Sequence, residues 1–307
     1  MLHSHSDPRV TIRPALPLDR EAVLEFCKFI WDGHDYIPDV WDDWMADPSG
    51  EMFVAEYAGK AVGLGRLTLL APGQWWLEGL RVDSEHQGRR IGSRMNSYLN
   101  ALWLERGEGV VRLMTSSKRV QVHHMCQQHG FARVGERAFF MAEPTGSFPL
   151  PPEEDRVGEV PYAPLVESEI PEAMQFALEA ESSATTGHFA DVGWRFAMPT
   201  EDLFRTFMAR EETRLYWWRG RDGLLLAWED DWDEGRFLIV SLAACATRDL
   251  PAMLLDLRGL GAARNLHAVG WNANLQPDMA AALTEAGFKR EDEGSAYLFE
   301  RRHPARP

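Results

Sequence analysis

The stretch Gly79–Ser93, GLRVDSEHQGRRIGS, sets three glycines and three arginines at the start of a long amphipathic pattern. A strand is expected to end at Val82. A helix is expected from Gly88 to Glu105, with Ile91, Met95, Leu99, Leu102 and Trp103 on one face. Such a junction points several backbone N–H groups and the positive end of a helix dipole at one spot. It therefore suits an anion, a pyrophosphate above all. Gly88 and Gly92 let the backbone approach closely, and Arg89 and Arg90 add positive charge. The same residues also read as an ordinary helix start with solvated arginines.

Glu78 stands on the preceding strand. Strict alternation would place Glu78, Leu80 and Val82 on one face. Its neighbours Trp75, Trp76 and Leu77 form an apolar setting that would raise a carboxyl toward a useful base. Glu78 reads equally as a surface carboxylate or a partner of Arg66 or Arg81. Upstream, HDYIPDVWDDW is interrupted by proline and mixes acids with aromatics. Its His34, Asp35, Tyr36, Trp41 and Trp44, together with Trp76, suit an amine-bearing small molecule, or else pack the segment onto the core. A helix over Val120–His129, closed by Gly130, carries His123, His124, Cys126 and His129. His123, one turn before Cys126, and Cys126 itself are candidate proton donors, set against solvated and core roles. Adjacent histidines on a helix point in different directions, so no metal is expected.

The elements that must position these groups follow from the wider chain. Its 307 residues amount to about two ordinary domains. With 45% hydrophobic and 26% charged residues, global disorder is excluded. A net charge of −15 argues against nucleic acid and anionic membrane as partners. The longest apolar run, near Phe237–Ala246, is about half of what a bilayer requires. MLHSHSDPRV has no apolar signal core, and three distant cysteines support neither a disulfide framework nor a zinc knuckle, so a cytoplasmic setting is expected. Strands are expected at Arg9–Ala15, Glu51–Tyr57, Ala61–Leu70, Trp75–Val82, Val110–Thr115 and Phe139–Ala142, with a helix at Leu18–Ile30.

The order of elements, the strand–QGRRIG–helix junction and the later helix ending in HGF resemble the GNAT superfamily of N-acetyltransferases. The family motif here is Q/R-x-x-G-x-G/A. Gln87, Gly88, Arg89, Arg90, Ile91 and Gly92 fit it, except that Arg90 stands where the middle glycine is usual. A residue with helical backbone angles could still donate its N–H there. The resemblance covers about Val10–Ala142. It implies acetyl-CoA held by Gln87–Ser93 and by the backbone of Leu80, Arg81 and Val82, with Glu78 as base. The usual tyrosine acid has no counterpart, its place being taken by Cys126. HDYIPDVWDDWMADP followed by WLEGLRVD is similar to the histidine N-acetyltransferase-like branch, which implies an amino acid as acceptor. A non-catalytic acetyl-CoA sensor and a protein or peptide N-acetyltransferase are the alternatives.

Pro144–Pro164, rich in Pro, Gly, Glu and Asp, reads as a linker. The expected division is 1–145 for the acetyl-CoA domain, 146–163 for the linker and 164–307 for a second lobe. HGFARVGERAFFM and AGFKREDEGSAYLFE end the two halves alike, which suggests duplication rather than two unrelated α+β domains. The resemblance makes the second lobe degenerate, because SLAACATRDLPAM contains no glycine. The expected fold is thus α+β: tandem GNAT-like lobes, each a mixed, mostly antiparallel twisted sheet flanked by helices. Open sheet edges would be covered by the other lobe or by a second chain in a homodimer.

Overall fold

The computed structural model describes residues 9–30, 33–106, 108–146, 161–185 and 187–304. Most of the expected linker, and the first eight residues on which the absence of a signal was read, lie outside them. The chain forms two compact units. No helix among the described residues is long and apolar enough to cross a membrane.

Unit 1 begins with four successive antiparallel strands: β1 (Val10–Pro14), β2 (Gly50–Tyr57), β3 (Lys60–Ala71) and β4 (Gln74–Val82). The β2–β3 turn places Ala58 and Gly59 at φ 51° and 79°, the left-handed pair that a tight hairpin needs. Helix α3 (Ile91–Arg106) then crosses to β5 (Val110–Ser116), which lies parallel to β4. That pairing extends only from Gln74↔Val110 to Trp76↔Arg112, so β4 continues to Val82 beyond its ladder with β5. Helices α1 (Arg20–Cys27) and α2 (Ile37–Ala46) cover one face, where Val23, Ile37 and Trp41 pack on Met52, Val54 and Leu64. Helix α3 covers the other through Ile91 and Met95 against Val10, Ala55 and Val62. Gly63 and Gly65 allow this close approach: a Cβ at either would lie 2.8 Å from Met95 or 2.9 Å from Leu99.

Helix α2 occupies most of the proline-interrupted segment HDYIPDVWDDW. Pro38 falls in its first turn, where the missing N–H needs no partner and the fixed φ favours the helix. Helix α4 (Val120–Gln128) follows β5.

The units do not coincide with the sequence halves. Strand β6 (Ala132–Ala142) is encoded in the first half, yet Arg133 onward belongs to unit 2. Conversely, Phe299–Pro307 belongs to unit 1, where the end of β15 (Ala296–Arg302) lies beside β5. Buried Arg112 donates from Nε to Glu300 Oε2 (2.8 Å) and from Nη1 to Gln74 Oε1 (2.9 Å). Arg301 reaches Asn100 Oδ1 at 3.1 Å. Periodicity marks each of these segments as a strand but carries no information about which sheet it joins.

Unit 2 orders its sheet β6-β13-β12-β11-β10-β7. The new strands are β7 (Tyr162–Pro164), β10 (Thr213–Trp218), β11 (Gly223–Trp232), β12 (Gly235–Cys245) and β13 (Ala268–Asn274). A short β14 (Lys289–Arg290) also pairs with β6. Helices α5 (Ile170–Glu179), α6 (Glu181–Thr185), α7 (Glu201–Met208), α8 (Leu250–Ala263) and α9 (Pro277–Glu285) complete it. A two-stranded hairpin joins β8 (Ala190–Asp191) to β9 (Phe196–Ala197). As in unit 1, a run of antiparallel strands ends in a short parallel pairing across a helix: Phe237–Val240 of β12 with Ala268–Trp271 of β13. Trp217 and Trp218 are buried, and Trp228 and Trp232 pack beside Phe237 and Ile239.

Candidate functional site

In unit 1 the chain leaves β4 through Asp83. Its N–H donates to Val62 O (3.0 Å), its Oδ1 accepts from Glu85 N (3.1 Å), and its Oδ2 lies 3.1 Å from His86 Nδ1. This pins the turn that leads to Gln87, Gly88, Arg89 and Arg90, all exposed. Gly88 has φ 77°, and a Cβ there would meet nothing within 4 Å, so its backbone faces open space. The helix ladder starts with Arg94 N–H to Arg90 O (3.0 Å). The N–H groups of Ile91, Gly92 and Ser93 therefore precede the ladder and point out of the helix end, with no acidic side chain in the first turn. Arg89 stacks 5.0 Å over the Tyr57 ring. The Ile91 side chain is buried under the sheet, and Ser93 Oγ meets Met125 Sδ at 3.7 Å. The residues present fit a pyrophosphate.

Arg90 departs from the expectation of helical angles: its φ is 61°. The loop takes the left-handed shape for which glycine is usual, and a Cβ there costs about 1–2 kcal/mol. Arg90→Gly should therefore stabilise the fold by about 1 kcal/mol, part of the relief being offset by the freer unfolded chain. Denaturant titration checks this, and a destabilised variant would show that the arginine side chain holds the turn.

The register between β3 and β4 shifts at the next feature. Leu64 faces Arg81 and Arg66 faces Glu78, so Gly79 and Leu80 together oppose Gly65. This is a β-bulge, and Gly79 holds φ 68° with the Trp44 ring only 2.8 Å from where a Cβ would be. The bulge breaks the alternation that would align Glu78 with Leu80 and Val82. Leu80 and Val82 turn toward α3 and its core, while Glu78 and Arg81 share the face covered by α2.

On that face Glu78 Oε1 accepts from Thr68 Oγ1 (2.7 Å) and from Arg66 Nη1 (3.3 Å). Arg66, wholly buried, also donates to Asp47 Oδ2 (2.5 Å) and stacks 4.8 Å over Trp44. Against burial, which would raise it, the Ser49 hydroxyl and backbone N–H and then the Arg66 guanidinium hold the Asp47 carboxyl below its usual range. The surroundings of Glu78 on this side thus combine polar donors with the buried Trp76 ring, whereas Trp75 and Leu77 lie on the opposite face of the strand. Neighbouring residues in β4 alternate in direction, and the facing strand supplies donors. Asp35, 6% exposed, binds Arg81 through both oxygens (2.9 and 3.0 Å) and accepts from Ile37 N at 3.3 Å. Arg81 lies 5.2 Å over Tyr36, whose ring meets Trp44 edge-on at 6.0 Å.

The structure therefore brings Glu78, Asp35, Tyr36, Arg81 and Trp44 together. Trp76 is buried on the same face, its β3 partner being Thr68, and His34 is exposed at the start of the segment. Trp41 is a correction: it lies in the core among Val23, Ile37 and Met52, so it supports α2 instead of lining a surface. Cys126 is another. Its thiol is buried, and burial pushes it up to about 12, which makes it a weaker acid than an ordinary thiol and fits the core role. His123 packs its ring 5.7 Å from Phe299. His129 Nε2 lies 3.2 Å from Ser97 Oγ, and burial followed by Arg301 lowers its pKa. Sequence reasoning missed Asp47 and Thr68. Only the β3–β4 register reveals Thr68, and Asp47 shows itself only through buried Arg66. No group of three or more His, Cys, Asp or Glu able to hold a metal occurs among the described residues.

Residues 20–131 match the acetyltransferase (GNAT) family, a span within unit 1 apart from part of β5 and its following turn. No curated protein sequence matches the chain. Several solved structures share the fold along nearly the whole length. A GCN5-related N-acetyltransferase from Sphaerobacter thermophilus is 15% identical with a TM-score of 0.65, covering 98% of each chain. A tandem GNAT protein from the clavulanic acid biosynthesis pathway is 12% identical with a TM-score of 0.59, covering 97% of this chain and 100% of that one. A GCN5-related N-acetyltransferase from Kribbella flavida is 13% identical with a TM-score of 0.56, covering 95% and 72%. The α+β layout of mixed sheet flanked by helices is the fold they have in common with this chain.

Proposed function

From the GNAT match of residues 20–131, we propose that this protein is an acetyl-CoA-dependent N-acetyltransferase that acts on the amino group of a small molecule, an amino acid by the resemblance of its α2 segment. One observation carries the reading. The β4–β5 ladder ends at Trp76, the carboxylate of Glu78 and the Gly79 bulge come next, and the same strand runs into the Gln87–Ser93 turn. An acyl carrier added along that edge of β4 as an extended arm would have its phosphates at the turn and its acyl end near the bulge. Acetyl-CoA supplies the activated acetyl thioester.

The chain's own groups do the rest. Backbone N–H groups of Ile91, Gly92 and Ser93, with Arg89 and Arg90, hold the pyrophosphate. Backbone groups of Leu80 and Val82 align the arm. Glu78, fixed by Thr68 and Arg66, takes the ammonium proton directly or through water and leaves a neutral amine. The rings of Tyr36 and Trp44 place aromatic surface beside the acceptor's positive charge, and the Asp35–Arg81 pair fixes the segment that carries them. Solvent protonates the departing thiolate, Cys126 being buried in the core.

Among its described residues unit 2 has no matching glycine-bearing turn at the corresponding helix start. Helix α8 carries Pro251 in its first turn, which removes a donor, and Asp249 is its N-cap. Thr247 N–H is already taken by Glu181 Oε2 at 3.1 Å. Asp249 and Glu181 set carboxylates at this helix start beside Arg248, whereas the turn before α3 carries Arg89 and Arg90 with no acid in the first turn of the helix. Calorimetric titration with CoA should give one site per chain, and two sites would contradict this division. The alternative of a non-catalytic acetyl-CoA sensor draws on the Arg66–Glu78 pairing and on Cys126. Release of CoA over a panel of amino acids, polyamines and aminoglycosides separates the two: turnover on any amine supports the enzyme, and binding without turnover supports the sensor.

A further inference from the structure

Helix α2 brings a second carboxylate to Glu78, and the proton transfer proposed above does not use it. Asp47 is the C-cap of α2. Its Oδ1 accepts from Ser49 N and its Oδ2 from Ser49 Oγ, both at 2.9 Å. The same Oδ2 accepts from Arg66 Nη2 at 2.5 Å, while Arg66 Nη1 donates to Glu78 Oε1 at 3.3 Å. One guanidinium thus stands between two carboxylates, and its Nε has no acceptor among the described residues. The place is built for it. Arg66 is 0% exposed, the Trp44 ring lies 4.8 Å away, and a Cβ at Gly50 would come within 2.6 Å of Nε. The Glu78 side chain is 9% exposed and that of Asp47 33%.

The two carboxylates compete for one cation, and the shorter bond goes to Asp47. A guanidinium favours the charged form of a carboxylate beside it, and a second anion on the same guanidinium offsets that effect. We propose that Asp47 is a positioning residue that, through Arg66, keeps Glu78 a stronger proton acceptor than contact with Arg66 alone would allow. The proposal rests on Glu78 as the base of acetyl transfer. Among the described residues, the other charged or titratable groups that face Glu78 are Tyr36, at the start of α2, and Arg81, which Asp35 binds through both oxygens. Arg112 of β5, the register partner of Trp76, is held by Glu300 and Gln74. None of these bonds involves Asp47, so a change there reaches Glu78 by way of Arg66.

The test is Asp47→Asn, which keeps an oxygen for Arg66 and Ser49 but removes the charge, so that the guanidinium bears on Glu78 alone. The Glu78 carboxyl can be followed by carbon NMR in full-length protein labelled at glutamate, its signal identified by its loss in Glu78→Gln. In Asp47→Asn it should take up its proton at a pH lower than in wild type by about half a unit or more. Asp47→Glu, which restores the charge, should bring the midpoint back toward wild type. With acetyl-CoA and an amine turned over in the CoA-release panel, the acid limb of kcat/KM should move down in pH alongside, at equal acetyl-CoA affinity. The same amine serves every variant, so a shift belongs to the protein. A Glu78 midpoint that stays or rises in folded Asp47→Asn would overturn the proposal. So would a loss of activity at every pH with the acid limb unmoved, the mark of a merely structural role. Wild type that acetylates no amine would overturn the proposed function instead, and the NMR titration would still decide whether Asp47 acts on Glu78. Should Asp47→Asn fail to fold, Asp47→Ser removes the same charge and carries the same prediction.

Discussion

Glu78→Gln should lower kcat by about a hundred- to ten-thousandfold, the range of a general base, while leaving the affinity for acetyl-CoA unchanged. In free-energy terms this is about 3–5 kcal/mol of barrier. Gln keeps an oxygen for the Thr68 hydroxyl and Arg66, so the local bonds that position the side chain survive, and Arg66 retains Asp47. What is lost is the capacity to take a proton. The phosphate end of the cosubstrate meets the Gln87–Ser93 turn, which the substitution does not touch. A fall in acetyl-CoA affinity with unchanged kcat would instead make Glu78 a binding or structural residue.

Arg112→Ala should destabilise the protein by about 3 kcal/mol, the lower end for breaking a buried ion pair. Arg112 and Glu300 are both buried, so removing the guanidinium strands a carboxylate and takes a partner from Gln74 Oε1. Arg302 still reaches Glu300 Oε1 at 3.2 Å, which moderates the loss. The double variant Arg112→Met with Glu300→Leu removes both charges and should recover most of the stability, as apolar replacements of buried pairs do. Denaturant unfolding of the three proteins measures this. If Arg112→Ala were neutral, the C-terminal strand would not be held in unit 1 by this pair.

Much of unit 1 is legible from local pattern. The strand–turn–helix around Gln87–Ser93 follows from glycines, arginines and a helical apolar face, and α3 buries Ile91, Met95, Leu99 and Trp103 as its periodicity indicates. Glu78 is readable as a carboxylate beside an edge of β4. Its environment is not, because Thr68 and Arg66 come from the neighbouring strand and a bulge at Gly79 resets which side chains share a face. The left-handed Arg90 is marked only by the glycine usual at its place in the family motif, since its own side chain reads as a first helical residue. The α2 segment misleads through Pro38, which breaks a helix inside but starts one at its first turn. The reassignment of β6 and the end of β15 depends on long-range pairing.

The central claim, that the carboxylate at the β4 bulge serves acetyl transfer to a small amine, is tested most directly by CoA release. Wild type and Glu78→Gln would be run side by side with acetyl-CoA over amino acids, polyamines and aminoglycosides, with acetyl-CoA binding measured in parallel. The expected result is turnover of at least one amine by wild type and a loss of at least about a hundredfold in the variant at equal acetyl-CoA affinity. Turnover that is equal in the two proteins, or acetyl-CoA bound by wild type with no amine acetylated, would contradict it.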